Sequence, residues 1–394
     1  MNSPRNDITY LGYANHRSKG DAFGIKQADR LSHLYVVGKT GTGKSTLLET
    51  MVRQDLEQGR GFALLDPHGD LVERIAASVP ERRRGDLIYF DAADPAQPYG
   101  YNPLRWVRAD KISLAASGLL DVFKARWSDA WGPKMEHLLR NAIYALLEKD
   151  GSTLPDILQL LSDDRFRRTV ARSLTNDPVR HFWLETYEKY PKRFRAEAAA
   201  PIENKVGAFL ADPMLLRVLT GAEKEIRIRW LMDEGGVLLV NLAKGRIGED
   251  SSSLLGSLLV TTIGLAAFSR GEMPDGSRRP FFLYLDEFQN FATTSIASMV
   301  SELRKYGVGL TLAHQHLEQL TPEIREAVLG NVGTVVSFRV GPEDARYLAR
   351  EFEPVFKPLD LVNLPNHQIY LKLMIDGTPS QAFSATTLSP PSIS

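Results

Sequence analysis

Two periods of apolar residues alternate along the 394-residue chain. Short runs that are apolar at nearly every position, LYVV (34–37), GFALLD (61–66), LIYF (87–90), GVLLVNL (236–242), FFLYL (281–285), GVGLTLAH (307–314) and GTVVSF (333–338), are bounded by turn-forming or acidic residues. Strands of a parallel sheet read this way, because helices cover both faces and neither is left to water. Between the first runs lie TLLETMVRQDLEQ and LVERIAASV, with apolar residues at helical spacing. Strand, helix, strand, helix, strand predicts an α/β fold with a mainly parallel sheet. Ahead of it, residues 8–26 alternate apolar and polar positions around glycine and predict a small β lead-in.

The pattern changes from Pro103 to Arg229. Apolar residues then recur only at helical spacing, in LAASGLLDVF, MEHLLRNAIYALLE, LPDILQLL, PVRHFWLETY, IENKVGAFL and PMLLRVL. This predicts an inserted all-α domain of roughly five to seven helices. The expected organisation is residues 1–102 as the lead-in and first part of the α/β domain, 103–229 as the insertion, 230–388 as the second part of the α/β domain, and 389–394 as a tail. Near the end, Asp376-Gly377 between two apolar runs predicts a β-hairpin at the sheet edge.

Composition narrows the class. With 43% hydrophobic residues, the chain is long enough to bury a sizeable core. Forty-eight basic residues balance 48 acidic ones, so no global field drives it onto nucleic acid or anionic lipid, and such binding would need local basic patches. The absence of cysteine excludes disulfides and thiolate metal sites, and MNSPRNDITYLGY lacks the profile of a secretory signal, which makes the cytoplasm the expected compartment. Ser251 to Ser269 is uncharged and nearly long enough to span a bilayer. Seven of its residues are Ser or Thr and two are Gly, so a buried helix is expected rather than a membrane span.

The chemistry starts at GKTGTGKST, where Gly38, Lys39, Thr40, Gly41, Thr42, Gly43, Lys44, Ser45 and Thr46 follow the strand LYVV and open a helix. This is a P-loop: glycines let backbone N–H groups close around a triphosphate, and the helix N-terminus adds its positive end. Lys44 is expected at the β/γ-phosphates of ATP and Ser45 at Mg2+. FFLYL ends in Asp286-Glu287, the form of the acidic partner of a P-loop: Asp286 is expected to hold Mg2+ through water and Glu287 to orient the attacking water. Gln315, at the end of the next strand, is expected in the same row as a sensor of the γ-phosphate. Its neighbours His314 and His316 have no clustered ligands around them and read as packing or surface residues.

In this order, GKTGTGKST, DPHGDL, YNPL, LDEFQNF, SELRKYGVGLTLAHQ and VVSFRVGPEDA resemble the HerA/FtsK group of DNA-pumping ATPases. The combination is most similar to the soluble ATPase region of type IV secretion coupling proteins, the TraD/TrwB-like class, whose helical insertion also lies between P-loop and acidic strand. The resemblance covers residues 25–390 and implies a RecA-like P-loop NTPase that threads DNA as a hexameric ring, with a relaxase or secretion-channel proteins as further partners. On it, Lys44, Ser45, Asp286, Glu287 and Gln315 carry over as nucleotide-site residues, and Arg304 matches the arginine supplied to a neighbour's γ-phosphate. Arg339, leaving the strand VVSF, is the second candidate for that role. The N-terminal transmembrane helices of the membrane-bound members are not expected in this chain, so contact with the inner membrane would come through a partner.

Lys244 and Arg246, in the glycine-containing stretch NLAKGRIGEDSS, are the expected DNA contacts, on a flexible loop at the strand ends. RFRR (165–168) and PKRFR (191–195) offer further cations, with Phe166 and Phe194 as stacking platforms, although helix-end charges explain them as well. Arg82-Arg83-Arg84 reads as a solvated turn. The function expected from the whole is a DNA-dependent ATPase that translocates DNA. The alternatives are a HerA-like helicase in DNA processing and an ATP-dependent switch that recruits a relaxase, nuclease or secreted protein.

Overall fold

The computed structural model describes residues 7–15, 20–105, 107–221, 223–274 and 276–390. The chain opens with the antiparallel strands β1 (Ile8–Ala14) and β2 (Ala22–Lys26), the single turn α1 (Gln27–Arg30) and β3 (Leu34–Val37). The α/β run continues through α2 (Lys44–Glu57), β4 (Gly61–Asp66), α3 (Asp70–Ala77) and β5 (Leu87–Asp91). A two-residue strand, β6 (Tyr99–Gly100), precedes a helical stretch: α4 (Ile112–Arg126), α5 (Pro133–Glu148), α6 (Pro155–Ser162), α7 (Asp164–Ser173), α8 (Asp177–His181), α9 (Tyr187–Lys189), α10 (Lys192–Leu210) and α11 (Pro213–Thr220). Asp163, Asn176 and Asp212 start three of these helices by accepting first-turn N–H groups that have no partner within the helix. β7 (Lys224–Glu225) then pairs in parallel with β6.

The second α/β run comprises α12 (Ile228–Glu234), β8 (Val237–Asn241), α13 (Lys244–Ile247), α14 (Glu249–Phe268), β9 (Phe281–Leu285), α15 (Thr294–Glu302), β10 (Val308–His314), α16 (Pro322–Asn331) and β11 (Thr334–Ser337). It is followed by α17 (Pro342–Phe352), α18 (Pro358–Val362), β12 (Gln368–Lys372), the ribbon β13 (Met374–Ile375) and β14 (Thr378–Pro379), and β15 (Phe383–Thr387). The large sheet has the order β2-β1-β15-β12-β11-β3-β10-β9-β4-β8-β5. From β11 to β8 neighbouring strands are parallel, and from β12 to β2 they are antiparallel.

One compact unit comprises residues 1–90, 227–243 and 266–394, and the other residues 91–226 and 244–265. The first holds the sheet. Val36, Leu64, Leu239, Tyr284 and Val336 meet Leu47, Leu48, Met51 and Val52 of α2 in its core, where full burial of each aliphatic side chain contributes roughly 1.5–3 kcal/mol. A polar knot lies inside the same unit. Arg30 bonds both oxygens of Asp55, at 2.7 and 2.8 Å, and Tyr284 donates to Asp55 Oδ2 at 2.5 Å. Arg60 adds a bond at 2.9 Å, and the guanidinium of Arg30 stacks 3.6 Å from the ring centre of Phe282. The carboxylate of Asp55 therefore ties α2 to β9.

The second unit is helical, and residues 244–265 belong to it. Tyr101 donates to the Leu258 carbonyl at 2.8 Å, and a Cβ on Gly118 of α4 would lie 2.8 Å from the Thr261 side chain. The missing side chain of Gly118 permits this approach. α14 with its 3-10 extension, Glu249–Glu272, is the one helix among the described residues long and apolar enough to cross a membrane; 72% of its apolar window is buried inside the protein, as in a core helix.

Two expectations about the fold need correction. The C-terminal hairpin is not at the sheet edge: β15 pairs with β1, and the lead-in strand β2 takes that edge. The Asp376-Gly377 turn, with φ of 50° and 77°, joins instead the small ribbon β13-β14. Arg83 is not solvated but buried, donating to the Gly235 carbonyl at 3.0 Å, while Arg82 and Arg84 pair with Glu57 and Glu81. Residues 391–394 of the expected tail lie outside the described residues.

Candidate nucleotide site

β3, β10, β9 and β4 are neighbours and run in parallel, so the residues leaving their carboxyl ends form one row: Gly38, Gln315, Asp286 and Asp66. The P-loop is held from both sides. Gly38 N–H donates to the His314 carbonyl at 3.3 Å, Lys39 N–H to the Arg339 carbonyl at 2.8 Å, and His367 N–H to the Thr42 carbonyl at 2.8 Å. At Gly43, φ is 122° and a Cβ would meet His367 Nδ1 at 2.9 Å, so both the backbone conformation and the close approach require glycine.

Lys44 is buried and folds back on its own loop, donating to the Gly38 carbonyl at 2.6 Å. Burial pulls its pKa down, against the upward pull of Glu287 and Asp286. Ser45 Oγ donates to Asp286 Oδ2 at 3.3 Å. Burial, then the carboxylates of Asp66 and Glu287, push the Asp286 carboxyl up to about 7. Crowded acids beside a serine hydroxyl form a hard oxygen donor set that a divalent cation relieves. The residues therefore fit a magnesium ion, and the glycine turn before α2 fits a polyphosphate.

Glu287 sits in the left-handed region at φ 48°, which turns it out of β9 immediately after Asp286. Gln315 Nε2 donates to its Oε1 at 2.7 Å and Gln289 Nε2 to its Oε2 at 2.8 Å. Gln315 in turn accepts from Thr40 Oγ1 at 2.9 Å, which joins the P-loop to the carboxylate through one amide. A polar chain of this kind can hold a water-activating carboxylate in one orientation.

The sequence-predicted residues Thr40, Lys44, Ser45, Asp286, Glu287 and Gln315 thus come together within the sheet unit. Arg304 does not join them: it lies in the 3-10 turn before β10, at the amino-terminal edge of the sheet, and its side chain is exposed. Arg339 is on the P-loop side, but its guanidinium is engaged with the Leu364 carbonyl at 3.3 Å and Asn366 Oδ1 at 2.9 Å. His314 is buried against Tyr35, whose hydroxyl lies 3.1 Å from Nδ1, and His316 meets Asp344 at 3.3 Å.

Lys244 and Arg246 do not lie on a flexible loop. They form the one-turn helix α13: β8 ends at Asn241, and Ala243, at φ 40°, turns the chain into it. Arg246 donates to Asp91 Oδ2 at 3.3 Å and to the Ala93 carbonyl at 2.7 Å. The basic clusters of the helical unit are likewise engaged internally. Arg167 and Arg168 converge on Glu188, Arg195 donates to the Glu188 carbonyl, and Phe194 packs edge-on against Tyr190.

Sequence reasoning missed Asp66 and Asn241. Asp66 accepts N–H groups from His68, Leu71 and Val72, starting α3, and adds its charge beside Asp286. Asn241, closing β8, packs so near Gly69 that a Cβ there would lie 2.4 Å from its Oδ1. The turn DPHGD carried the signal for Asp66, since an acid closing a parallel strand before a glycine turn belongs to the ligand edge of the sheet.

Comparison with known proteins follows this geometry. Residues 23–353 match the family described as the type IV secretion-system coupling protein DNA-binding domain. Over 371 residues the chain is 23% identical to the type 4 coupling protein DotL of Legionella pneumophila subsp. pneumophila, covering 79% of this chain. The chain spans about half the length of that relative, 47%. Among solved structures, the unbound conjugative coupling protein TrwBΔN70 is 17% identical with a TM-score of 0.66, covering 94% of this chain and 89% of that one. TrwB in complex with ADP and Mg2+ is 18% identical with a TM-score of 0.65, covering 92% and 86%. VirB4 of Thermoanaerobacter pseudethanolicus is 15% identical with a TM-score of 0.64, covering 99% and 98%. These structures share the fold.

Proposed function

Because the chain belongs to the type IV secretion-system coupling protein DNA-binding domain family, we propose that it is an ATP-hydrolysing motor that moves DNA, working as a homo-hexameric ring. The observation that carries this reading is Glu287, turned out of β9 and held by Gln315 and Gln289 in the same row as the P-loop. A site that only binds nucleotide has no use for an oriented carboxylate next to its magnesium ligand. The TrwB structure with ADP and Mg2+ supports ATP and Mg2+ as the cofactors here.

Residues Gly38 to Thr46 would hold the triphosphate, and Ser45 and Asp286 the magnesium ion, which neutralises phosphate charge when bound. Lys44 exchanges the Gly38 carbonyl for phosphate oxygen. Glu287 takes the proton of the attacking water at a carboxylate oxygen, while Gln315 and Gln289 fix the direction in which that oxygen points. Arg304, on the opposite edge of the sheet from Lys44, serves the site of an adjacent subunit. Lys244 and Arg246 meet DNA phosphates. Secretion partners such as a relaxase would bring the protein, otherwise cytoplasmic, to the inner membrane.

The test is the rate of ATP hydrolysis with and without single- and double-stranded DNA, measured alongside the mass of the assembly. Stimulation by DNA in a hexamer is the expected result. Hydrolysis unaffected by either DNA form in an assembled ring overturns the motor in favour of a switch.

A further inference from the structure

The sheet gives the P-loop two flanks, because β3 lies between β10 and β11. On the β10 flank stand Gln315, Glu287 and Asp286, tied to the loop by the Thr40–Gln315 bond at 2.9 Å. The other flank is built by β11, β12 and β15, whose ends at this edge of the sheet bring Phe338, His367 and Thr387 beside the loop.

A circuit of hydrogen bonds fixes this second flank. Lys39 N–H donates to the Arg339 carbonyl at 2.8 Å, while the Arg339 guanidinium donates to the Leu364 carbonyl at 3.3 Å and to Asn366 Oδ1 at 2.9 Å. The next residue, His367, returns to the P-loop. Its N–H donates to the Thr42 carbonyl at 2.8 Å, and its own carbonyl accepts from Thr387 N–H at 2.9 Å and from Thr387 Oγ1 at 3.3 Å. Arg339 is thus a strut that holds the segment leading into His367.

His367 sits at φ 63°, a conformation uncommon outside glycine. Such residues persist where surrounding bonds fix them, and here the Thr42 and Thr387 contacts do so. The consequence is an aimed side chain. His367 Nδ1 stands 2.9 Å from where a Cβ on Gly43 would lie, and Phe338 Cε1 stands 3.0 Å from the same point. Phe338 is buried and His367 exposed, so of these two rings the imidazole is the one that faces solvent. Among the described residues, neither nitrogen of the His367 ring has a hydrogen-bond partner.

The proposed site fixes the direction of a bound nucleotide. Ser45, Asp286 and Glu287 draw the terminal phosphate and its magnesium ion toward β9 and β10. Phosphates form one end of a nucleotide and the nucleoside the other, so the nucleoside leaves the loop away from those carboxylates, on the flank of His367. A planar ring with two free nitrogens suits that half: its face stacks on a base, and its nitrogens reach hydroxyl or base acceptors and donors.

We propose that His367 is a nucleoside-contacting residue, packing its ring on the base and ribose of the nucleotide whose phosphates the P-loop holds, with Arg339 as its positioning residue. This rests on the nucleotide-site reading above. It gives a side chain outside both the P-loop and the acidic strand the task of selecting nucleotide over bare polyphosphate.

The test uses the full chain and reads binding rather than turnover. Calorimetric titrations with ADP and with pyrophosphate, each with Mg2+, compare two ligands that share a diphosphate and differ by the nucleoside. ADP is expected to bind the unsubstituted chain more tightly. His367→Asn removes the ring while keeping a residue that accepts positive φ. It is expected to weaken ADP about tenfold and to leave pyrophosphate within about a factor of two. Arg339→Ala is expected to weaken ADP in the same direction by less. In the unsubstituted chain, the His367 ring resonances are expected to shift with ADP and to stay in place with pyrophosphate, a measurement that needs no variant to fold.

Equal losses for ADP and pyrophosphate in His367→Asn mean that the ring only shapes the P-loop, and they overturn the proposal. Unchanged ADP affinity in that variant, or ring resonances that ADP does not move, overturns it as well while the nucleotide site stands. If the unsubstituted chain binds neither ligand, the nucleotide-site reading itself fails, and the role of His367 fails with it.

Discussion

Gln315 donates its amide N–H to Glu287 Oε1 at 2.7 Å while the same amide accepts from Thr40 Oγ1 at 2.9 Å. A P-loop residue and the carboxylate proposed to activate water therefore share one side chain. Any shift of Thr40 as the loop closes on phosphate changes what Gln315 bonds, and with it the orientation of Glu287. Gln315→Ala is expected to lower kcat by about tenfold to a hundredfold and to change nucleotide affinity by less than a factor of a few. Single-turnover rates alongside equilibrium binding of a nonhydrolysable analogue check this. Equal losses in both would make Gln315 a binding residue rather than a link to the carboxylate.

Lys44 and Glu287 should separate cleanly. Lys44→Ala removes the ammonium that burial already keeps within the loop and is expected to abolish nucleotide binding. Glu287→Gln keeps the hydrogen-bonding size of the side chain and is expected to retain binding while lowering turnover roughly a hundredfold or more. Near-normal hydrolysis by Glu287→Gln would remove that carboxylate from the chemistry.

The Arg30–Asp55 pair should dominate stability in the sheet unit. Both side chains are almost fully buried, and the pair is satisfied by Tyr284 and Arg60. Asp55→Ala leaves a guanidinium without its carboxylate in the core, a loss expected at about 3–5 kcal/mol. Urea unfolding reads it directly. A loss below about 1 kcal/mol would show that water reaches Arg30 once Asp55 is gone.

Two buried histidines predict an acid limb of stability. His33 is held down at about 4 and His314 at about 3, both first by burial, from an ordinary value of 6.5. The unfolded chain then binds more protons than the folded one below pH 6.5, so stability is full above that pH and falls as pH drops toward the folded values. His33 alone accounts for roughly 3 kcal/mol across its window. Chemical denaturation as a function of pH should show the decline, and His314→Gln should flatten it. An unchanged slope in that variant would mean that His314 titrates normally.

Much of this was legible in the sequence because the signals were local. A run such as LYVV before GKTGTGKS needs burial on both faces and glycine in the turn, and both constraints act within a dozen residues. FFLYL followed by Asp286-Glu287 marked the end of a strand for the same reason, and β9 ends there. What could not be read depends on contacts between distant segments. The Thr40–Gln315 bond spans 275 residues, and β15 lies beside β1 rather than at an edge because the two ends of the chain meet. Arg83 reads as solvated until the Gly235 carbonyl is seen to receive it. Charge runs are the weakest signal, because the carboxylate that neutralises Arg167 and Arg168, Glu188, lies outside their run and their helix.

Lys244 and Arg246 should not contribute equally to DNA binding, although the sequence offers them as a pair. The guanidinium of Arg246 already has Asp91 and the Ala93 carbonyl as partners, so a DNA phosphate must displace or share them. Lys244 has no carboxylate within ion-pair distance among the described residues, and its charge is available. Lys244→Ala is therefore expected to weaken binding to all sequences alike and to lower the salt slope by roughly 0.7–0.9. Arg246→Ala is expected to do less. Asp91→Asn should do the opposite: the amide oxygen can still accept from Ala93 N–H, as Asp91 Oδ1 does now at 2.9 Å, while the negative charge opposing Arg246 is gone. Affinity and salt slope are then expected to rise together, and base preference to stay constant. Salt-dependent binding of the three variants decides the matter. If Asp91→Asn leaves both quantities unchanged, Arg246 is a structural residue of α13 and the phosphate contacts must be sought elsewhere on the helical unit.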